Sequence, residues 1–296
     1  MTQVKTVFLL TILSGIFLAI GYFLFGTIGI VGGAIFGLAM NVGSYWGSDK
    51  LALRMTGSKE VTQDEEPRLH RIVDEVSSMA RMPKPKVYII QNDAPNAFAT
   101  GRNENHAAVA ATTGILRILD DRELTAVFGH ELGHVKNRDI LVSAIVASIA
   151  TAIMALAFIG RFAMFFGGRR GMGGMIAMLA IIILAPLAAT AVRFAISRQR
   201  EFGADATGAE ITHTPMALAS ALQKLESYSK ARPMQVNPAV SHLFIVNPLG
   251  ATKSQGQGGD SMMSGFIGGG LFSSHPPMEK RIERLNEIAR RTGNYS

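Results

Sequence analysis

The chain has 296 residues, of which 48% are hydrophobic and only 17% charged, with a net charge of +7. Its apolar residues stand in long blocks rather than at core periodicity, which excludes an ordinary soluble globular protein and predicts an integral membrane protein. The absence of cysteine excludes disulfides, thiolate ligands and cysteine nucleophiles together and fits a reducing cytoplasm. The basic residues are scattered or flank the apolar blocks, where they meet anionic lipid headgroups, so the charge is read as membrane orientation and not as a nucleic-acid surface.

In chain order, residues 6–48 contain no charged residue. Gly26 divides them into two segments that can each cross about 30 Å of hydrocarbon, which predicts a transmembrane helical hairpin. Reading the first segment as a cleaved signal peptide is the alternative, but it lacks a basic cluster before it and a small-x-small site after it. Residues 49–139 form the first water-soluble piece. Glu66-Pro67 opens an amphipathic helix with Leu69, Ile72, Val73, Val76 and Met79 at helical spacing, ended by Pro83 and Pro85. Val87 to Ile90 reads as a strand, 92–96 as a turn-rich loop, 106–112 as a second strand, and 122–137 as a helix packed through Leu124, Val127 and Phe128.

Two more uncharged runs lie within 140–192, each long enough to span, with Pro186 inside the second. The alternative for this pair is a buried helical hairpin of the catalytic domain. Arg161, Arg169 and Arg170 between the runs would stand on the wrong side by the positive-inside rule. Residues 193–296 form the second soluble piece. It holds a helix over 197–211, another starting at Thr214-Pro215, a glycine-rich loop over 250–271, and a last helix after His275-Pro276-Pro277 whose Ile282, Leu285 and Ile288 form a buried stripe.

The helix over 122–137 carries the most informative motif, His130-Glu131-Leu132-Gly133-His134. Two imidazoles four residues apart lie one above the other and reach one metal, while Glu131, one residue round, reaches a water on that metal. This is the ligand and base set of a zinc peptidase. A catalytic zinc takes three protein ligands and leaves the fourth position for water, so one partner is still needed. Glu201 is the best candidate, and Asp205, on the same helical face, is placed to hold the other ring N–H of a ligand histidine. By spacing alone, both also read as surface carboxylates near Arg198 and Arg200.

With these motifs in order, the chain resembles the HtpX branch of membrane-integral zinc metalloproteases, related to the CAAX prenyl proteases. The match runs nearly end to end: the N-terminal hairpin, NVGSYWGSDK at 41–50, NAFATG at 96–101, the metal helix continuing to Asp139, REFGAD at 200–205 and HPPMEKR at 275–281. The resemblance implies an α+β, predominantly helical membrane protein in which a zincin-like (glutamate-zincin) domain with a small sheet is combined with transmembrane helices. It implies one zinc held by His130, His134 and Glu201, Asp205 holding a ligand histidine, and Glu131 as general base and acid. It points to His275 and Arg281 as helpers of the oxyanion; the alternative for the pair is a helix N-cap histidine and a surface arginine. It also puts a substrate-binding sheet edge at 96–100 and the strand after it, with Asn96 and Phe98 as candidate contacts and Phe98 alternatively core. Its implied activity is endoproteolysis of damaged or misfolded membrane proteins in bacterial quality control at the inner membrane, with self-cleavage.

The rival classes are an inactive zinc-binding membrane scaffold and a zinc hydrolase of non-peptide substrates. A transporter is disfavoured because the apolar runs hold no ionisable group. Because the two histidines precede the 140–192 pair and Glu201 follows it, both flanks must face one compartment. The Lys and Arg residues around the runs make that compartment the cytoplasm.

Overall fold

The computed structural model describes residues 2–139, 142, 198–231, 244–246 and 276–294. The 140–192 pair (Val142 apart), the 250–271 loop, His242 and His275 lie outside the described residues. The chain divides into two compact units, residues 1–47 with 141–196 and residues 48–140 with 197–296.

The first unit holds residues 2–47 of α1 (Thr2–Met55), whose remaining residues belong to the second unit; the helix is interrupted at Gly26, whose φ of 65° and ψ of −146° are not helical. Glycine adopts that conformation without a Cβ penalty, so the break falls where the sequence divides the uncharged run. The two arms fold onto each other. Phe17 meets Phe36 edge-to-face at 5.3 Å, and Gly33 lies against the Phe17 carbonyl so closely that a side chain there would collide with it. Ile28, Val31, Ile35, Phe36 and Leu38 are exposed on the second arm. Among the described residues, no helix is long and apolar enough to cross a membrane.

The second unit is built on a four-stranded mixed sheet of order β1-β2-β4-β3, with β1 Lys59–Glu60, β2 Lys86–Ile90, β3 Ala97–Gly101 and β4 Ala107–Thr112. Strands β2 and β4 are parallel and the other pairs antiparallel, which leaves β3 as an edge. Val87, Ile89, Ala97, Ala99, Val109 and Ala111 join the main core, while Ile90, Phe98 and Ala110 form a smaller cluster with Phe244. The alanines of β3 and β4 keep the sheet thin enough for helices to lie close to it.

Helix α2 (Pro67–Ala80) buries Leu69, Ile72, Val73 and Val76 as its spacing predicts. It stops earlier than the prolines require: Arg81 takes the left-handed conformation, and Met79 faces solvent. After the short α3 (Thr113–Ile118), α4 (Asp121–Lys136) starts at a capping box in which Asp120 and Glu123 each accept the other's backbone N–H. Glu123 also accepts hydrogen bonds from Ser220 (2.7 Å) and Lys224 (2.8 Å) on α6 (Pro215–Ala231), which ties that helix to the start of α4. The last helix, α7 (Met278–Thr292), packs against α6 with Leu285 and Ala289 fully buried. Arg281, outside the apolar stripe of this helix, is also fully buried.

Residues 198–212 form α5. Its crossing with α4 is lined by glycines: a Cβ on Gly208 would stand 2.7 Å from the His130 amide nitrogen, and one on Gly133 would stand 3.1 Å from the Ala204 carbonyl oxygen. The backbones meet there, and no flexible side chain is present to yield. Gly208→Ala is therefore expected to lose about 1–3 kcal/mol of folding stability, read as a lower denaturant midpoint. Gly203→Ala on the same helix, whose Cβ would have its nearest neighbour at 3.9 Å, is expected to be neutral or slightly stabilising. Equal effects in the two variants would show that the close crossing is unimportant.

Candidate metal centre

One helical turn apart on α4, the His130 and His134 rings lie with centroids 4.7 Å apart and nearly perpendicular. The α4–α5 crossing brings Glu201 to both of them. His130 Nε2 is 3.7 Å from Glu201 Oε2, and His134 Nε2 is 3.6 Å from Glu201 Oε1. A tetrahedral zinc with bonds of about 2.0–2.1 Å has ligand-to-ligand edges of about 3.3–3.4 Å, so the three donors stand close to the spacing one ion requires. Among the described residues they are the one cluster of metal-ligating side chains whose donor atoms all lie within 4.8 Å of one another.

Each histidine is held from behind by a carboxylate. His130 Nδ1 lies 2.9 Å from Asp205 Oδ1, and His134 Nδ1 lies 2.9 Å from Asp139 Oδ2. These partners favour the proton on Nδ1 and aim the Nε2 lone pairs at Glu201. Arg281 lies on the far side of Asp205, donating to its two oxygens at 2.9 and 2.6 Å, and its Nη1 stands 3.3 Å from Glu201 Oε2.

The electrostatics fit a divalent ion. Glu131, Asp139, Glu201 and Asp205 bring four carboxylates, and Arg200 and Arg281 two cations, so two negative charges are left over when all are ionised. Burial lowers the His134 imidazole, but the Asp139 hydrogen bond and the charges of Glu201, Asp139 and Glu131 outweigh it and push the ring up to about 9. The pocket thus favours positive charge beside that ring. Burial holds His130 toward its neutral form, which is the form that ligates. Asp205, raised by burial, is brought below the usual carboxylate range chiefly by Arg281. Burial pushes Glu131 up to about 8, against the partly compensating His134 charge and the Ala99 N–H that its Oε2 accepts at 2.7 Å. A cation among the three ligands would pull it back down.

The sequence profile of Peptidase family M48 matches residues 63–289. The chain belongs to this family. Over 301 aligned positions it is 46% identical to the Protease HtpX homolog of Persephonella marina, covering 99% of this chain and 100% of that protein. It is 48% identical to the namesake of Aquifex aeolicus, covering 95% and 91%, and 48% identical to that of Burkholderia ambifaria, covering 99% and 98%. The resemblance drawn from the sequence motifs is thereby borne out, and the M48 chain is a metalloprotease. A solved structure, S. mikatae Ste24p, shares the fold with a TM-score of 0.57 at 18% identity, covering 94% of this chain and 62% of its own length.

The structure brings together five of the residues singled out in the sequence, His130, Glu131, His134, Glu201 and Asp205, and adds Arg281 in an unexpected place. Arg281 was expected at the surface or facing an oxyanion; instead it is buried behind Asp205, and its Nη1 also donates to the Ile245 carbonyl at 3.3 Å. Asn96 and Phe98 are buried as well. The Asn96 amide donates to the Val246 carbonyl (2.8 Å), and Phe98 packs edge-to-face on Phe244 at 5.2 Å. His70 and His106 bond locally to Val61 and Asn103, away from the centre.

Asp139 is the partner that sequence reasoning missed. Five residues beyond His134, it does not share that residue's helical face. It returns because α4 ends at Lys136 and Arg138 takes a left-handed φ of 58°, a turn that arginine does not advertise. Arg200 pins the turn by donating to the Asp139 carbonyl at 2.7 Å. Asp139→Asn and Asp205→Asn are each expected to weaken zinc binding by about 10- to 100-fold in chelator competition. Only Asp205→Asn should also lower the unfolding midpoint strongly, because it leaves Arg281 buried beside a neutral amide. Wild-type zinc affinity in both variants would remove the two carboxylates from the centre.

Proposed function

We propose that the M48 chain is a membrane-bound, zinc-dependent endopeptidase that hydrolyses peptide bonds of misfolded or damaged membrane proteins, itself included. The observation that carries this reading is the convergence of His130, His134 and Glu201 at zinc-ligand spacing with Glu131 buried beside them. Zinc bound there would supply an acidified water and polarise the scissile carbonyl. Glu131 takes the water's proton as it attacks and delivers it to the leaving amine. Asp205 and Asp139 keep the two imidazoles oriented, and Arg281 balances the buried charge of Asp205 and Glu201. Of the three candidate ligands, His134 has the most exposed side chain, at 16%, against 0% for His130 and 8% for Glu201.

The edge of β3 suits an extended polypeptide because backbone pairing asks for little sequence. A scaffold with no chemistry gains nothing from a carboxyl buried beside the ligands. Membrane attachment rests on the uncharged stretch 6–48 and on the apolar runs of 140–192, with the centre on the cytoplasmic side of the bacterial inner membrane.

Glu131→Gln is expected to abolish cleavage of unfolded casein and self-cleavage while zinc stays bound, since the amide cannot accept the proton but the ligands remain. His134→Phe should lose metal and activity together. Zinc-dependent cleavage by Glu131→Gln would overturn the assignment of the base.

Topology has its own test, helped by the absence of native cysteine. The Asn137 amide donates to the Thr207 hydroxyl at 3.2 Å, which supports the reading that the two flanks of the 140–192 pair share one compartment. Single cysteines at exposed Lys59, Lys136 and Glu210 should all label from the cytoplasm, and one at Gly168 from outside. A cytoplasmic Gly168 would make the pair a non-spanning hairpin.

A further inference from the structure

Strand β3 has one side paired with β4 and one side turned away from it. The Thr112 N–H donates to the Asn96 carbonyl, and Phe98 and Thr100 stand opposite Ala110 and Ala108. In an antiparallel ladder the backbone groups of 96, 98 and 100 then turn toward β4, and those of 97, 99 and 101 turn outward. The outward Ala99 N–H goes to Glu131. The outward Ala97 carbonyl is taken by this chain's own Ile245 N–H at 3.1 Å.

Residues 244–246 are fastened there from three directions. The Asn96 side chain acts as a short piece of strand, accepting from the Val246 N–H at 3.3 Å and donating to the Val246 carbonyl at 2.8 Å. Phe244 is buried against Phe98, and Arg281 holds the Ile245 carbonyl. All three residues of the segment are buried.

We propose that residues 244–246 are a fixed stop at the Ala97 end of the substrate edge, so that an extended substrate pairs with β3 only through the Ala99 carbonyl and the backbone of Gly101. Asn96 and Phe244 are its positioning residues, and the segment determines specificity; this rests on the peptidase reading. Glu131 at Ala99 places the cut bond near that residue. A substrate antiparallel to β3 then runs its residues after the cut toward Ala97, where the stop forces the chain off the sheet. Recognition on that side is confined to the first one or two residues. Burial of all three residues together with their four hydrogen bonds makes the segment a wall rather than a loosely seated plug.

The test uses the full-length chain in detergent with zinc and two peptide series, each lengthened by one residue at a time, one before and one after the cleaved bond. In the wild type, kcat/KM should stop rising after one or two residues beyond the cut. In Asn96→Ala and in Phe244→Ala, which free the Ala97 carbonyl in different ways, it should rise by about 2- to 10-fold for a further residue on that side, the value of one added backbone hydrogen bond. Phe244→Leu, which keeps an apolar anchor, should restore the wild-type profile. Length profiles identical in the wild type and both alanine variants overturn the stop. A uniform rise at every length also overturns it, since that is the signature of a plug. So does rapid hydrogen exchange of the Ile245 amide in the wild type, a readout that needs no catalysis. Zinc-replete wild type that cuts no peptide sinks the peptidase reading and the stop with it.

Discussion

Everything in the second unit depends on how closely α4 and α5 can cross. Three candidate ligand atoms within 4.8 Å of one another come from helices whose sequences are separated by the whole 140–192 region. Helices in ordinary contact lie with axes about 8–10 Å apart, held off by side chains. Gly133 and Gly208 remove those side chains where the backbones meet, and the short reach of Glu201 then suffices to touch both imidazoles. The rest of the unit serves that crossing. The Glu123 hub fixes α6 on the start of α4, and the Asn137–Thr207 pair ties the far end of α4 to α5.

Bringing four carboxylates into so small a volume creates the second constraint. A buried carboxylate without a counter-charge is costly, and removing one partner of a buried pair costs about 3–5 kcal/mol. Arg281 meets this by chelating Asp205 with two nitrogens, at one helical turn's remove from Glu201. The arginine thereby makes α7 part of the candidate metal centre without supplying a ligand. Through the Ile245 carbonyl it also joins the 244–246 segment to the same network, and burial of Phe244, Ile245 and Val246 adds roughly 1.5–3 kcal/mol apiece to holding it there.

What could be read from the sequence was what depends on short spacing. His130, Glu131 and His134 are one helical turn, and α2, β2, β4, α4 and α7 announce themselves by periodicity and caps. Coordination number and helical spacing singled out Glu201 and Asp205, the family resemblance strengthened both, and the geometry brings both to the histidines. What escaped depends on distant pieces meeting or on unadvertised backbone. The two-residue β1 carries no pattern to detect, and the left-handed Arg138 that returns Asp139 to His134 has no sequence signal. Arg281 sits on the polar side of an amphipathic helix, so periodicity assigns it to solvent; only the carboxylate 76 residues earlier in the chain explains its burial. Asn96 and Phe98 were legible as important but not as partners of residues 244–246, about 150 positions away.

The order of the pieces along the chain has a consequence for when the centre can act. Residues 48–140 hold the sheet, its open edge, both histidines and Glu131, while Glu201, Asp205 and Arg281 arrive with residues 197–296. The first piece alone offers two imidazoles, one of them without the carboxylate that fixes its tautomer, and an α4 face whose glycines meet nothing. Two neutral nitrogens bind zinc far more weakly than a set completed by a carboxylate and its supporting shell. Nor is the edge of β3 bounded until residues 244–246 lie along it. Metal affinity, charge balance and the shape of the edge therefore all wait for residues 197–296, which follow the 140–192 region in the chain. Peptide hydrolysis is a property of the closed unit and is withheld from either piece of the chain alone.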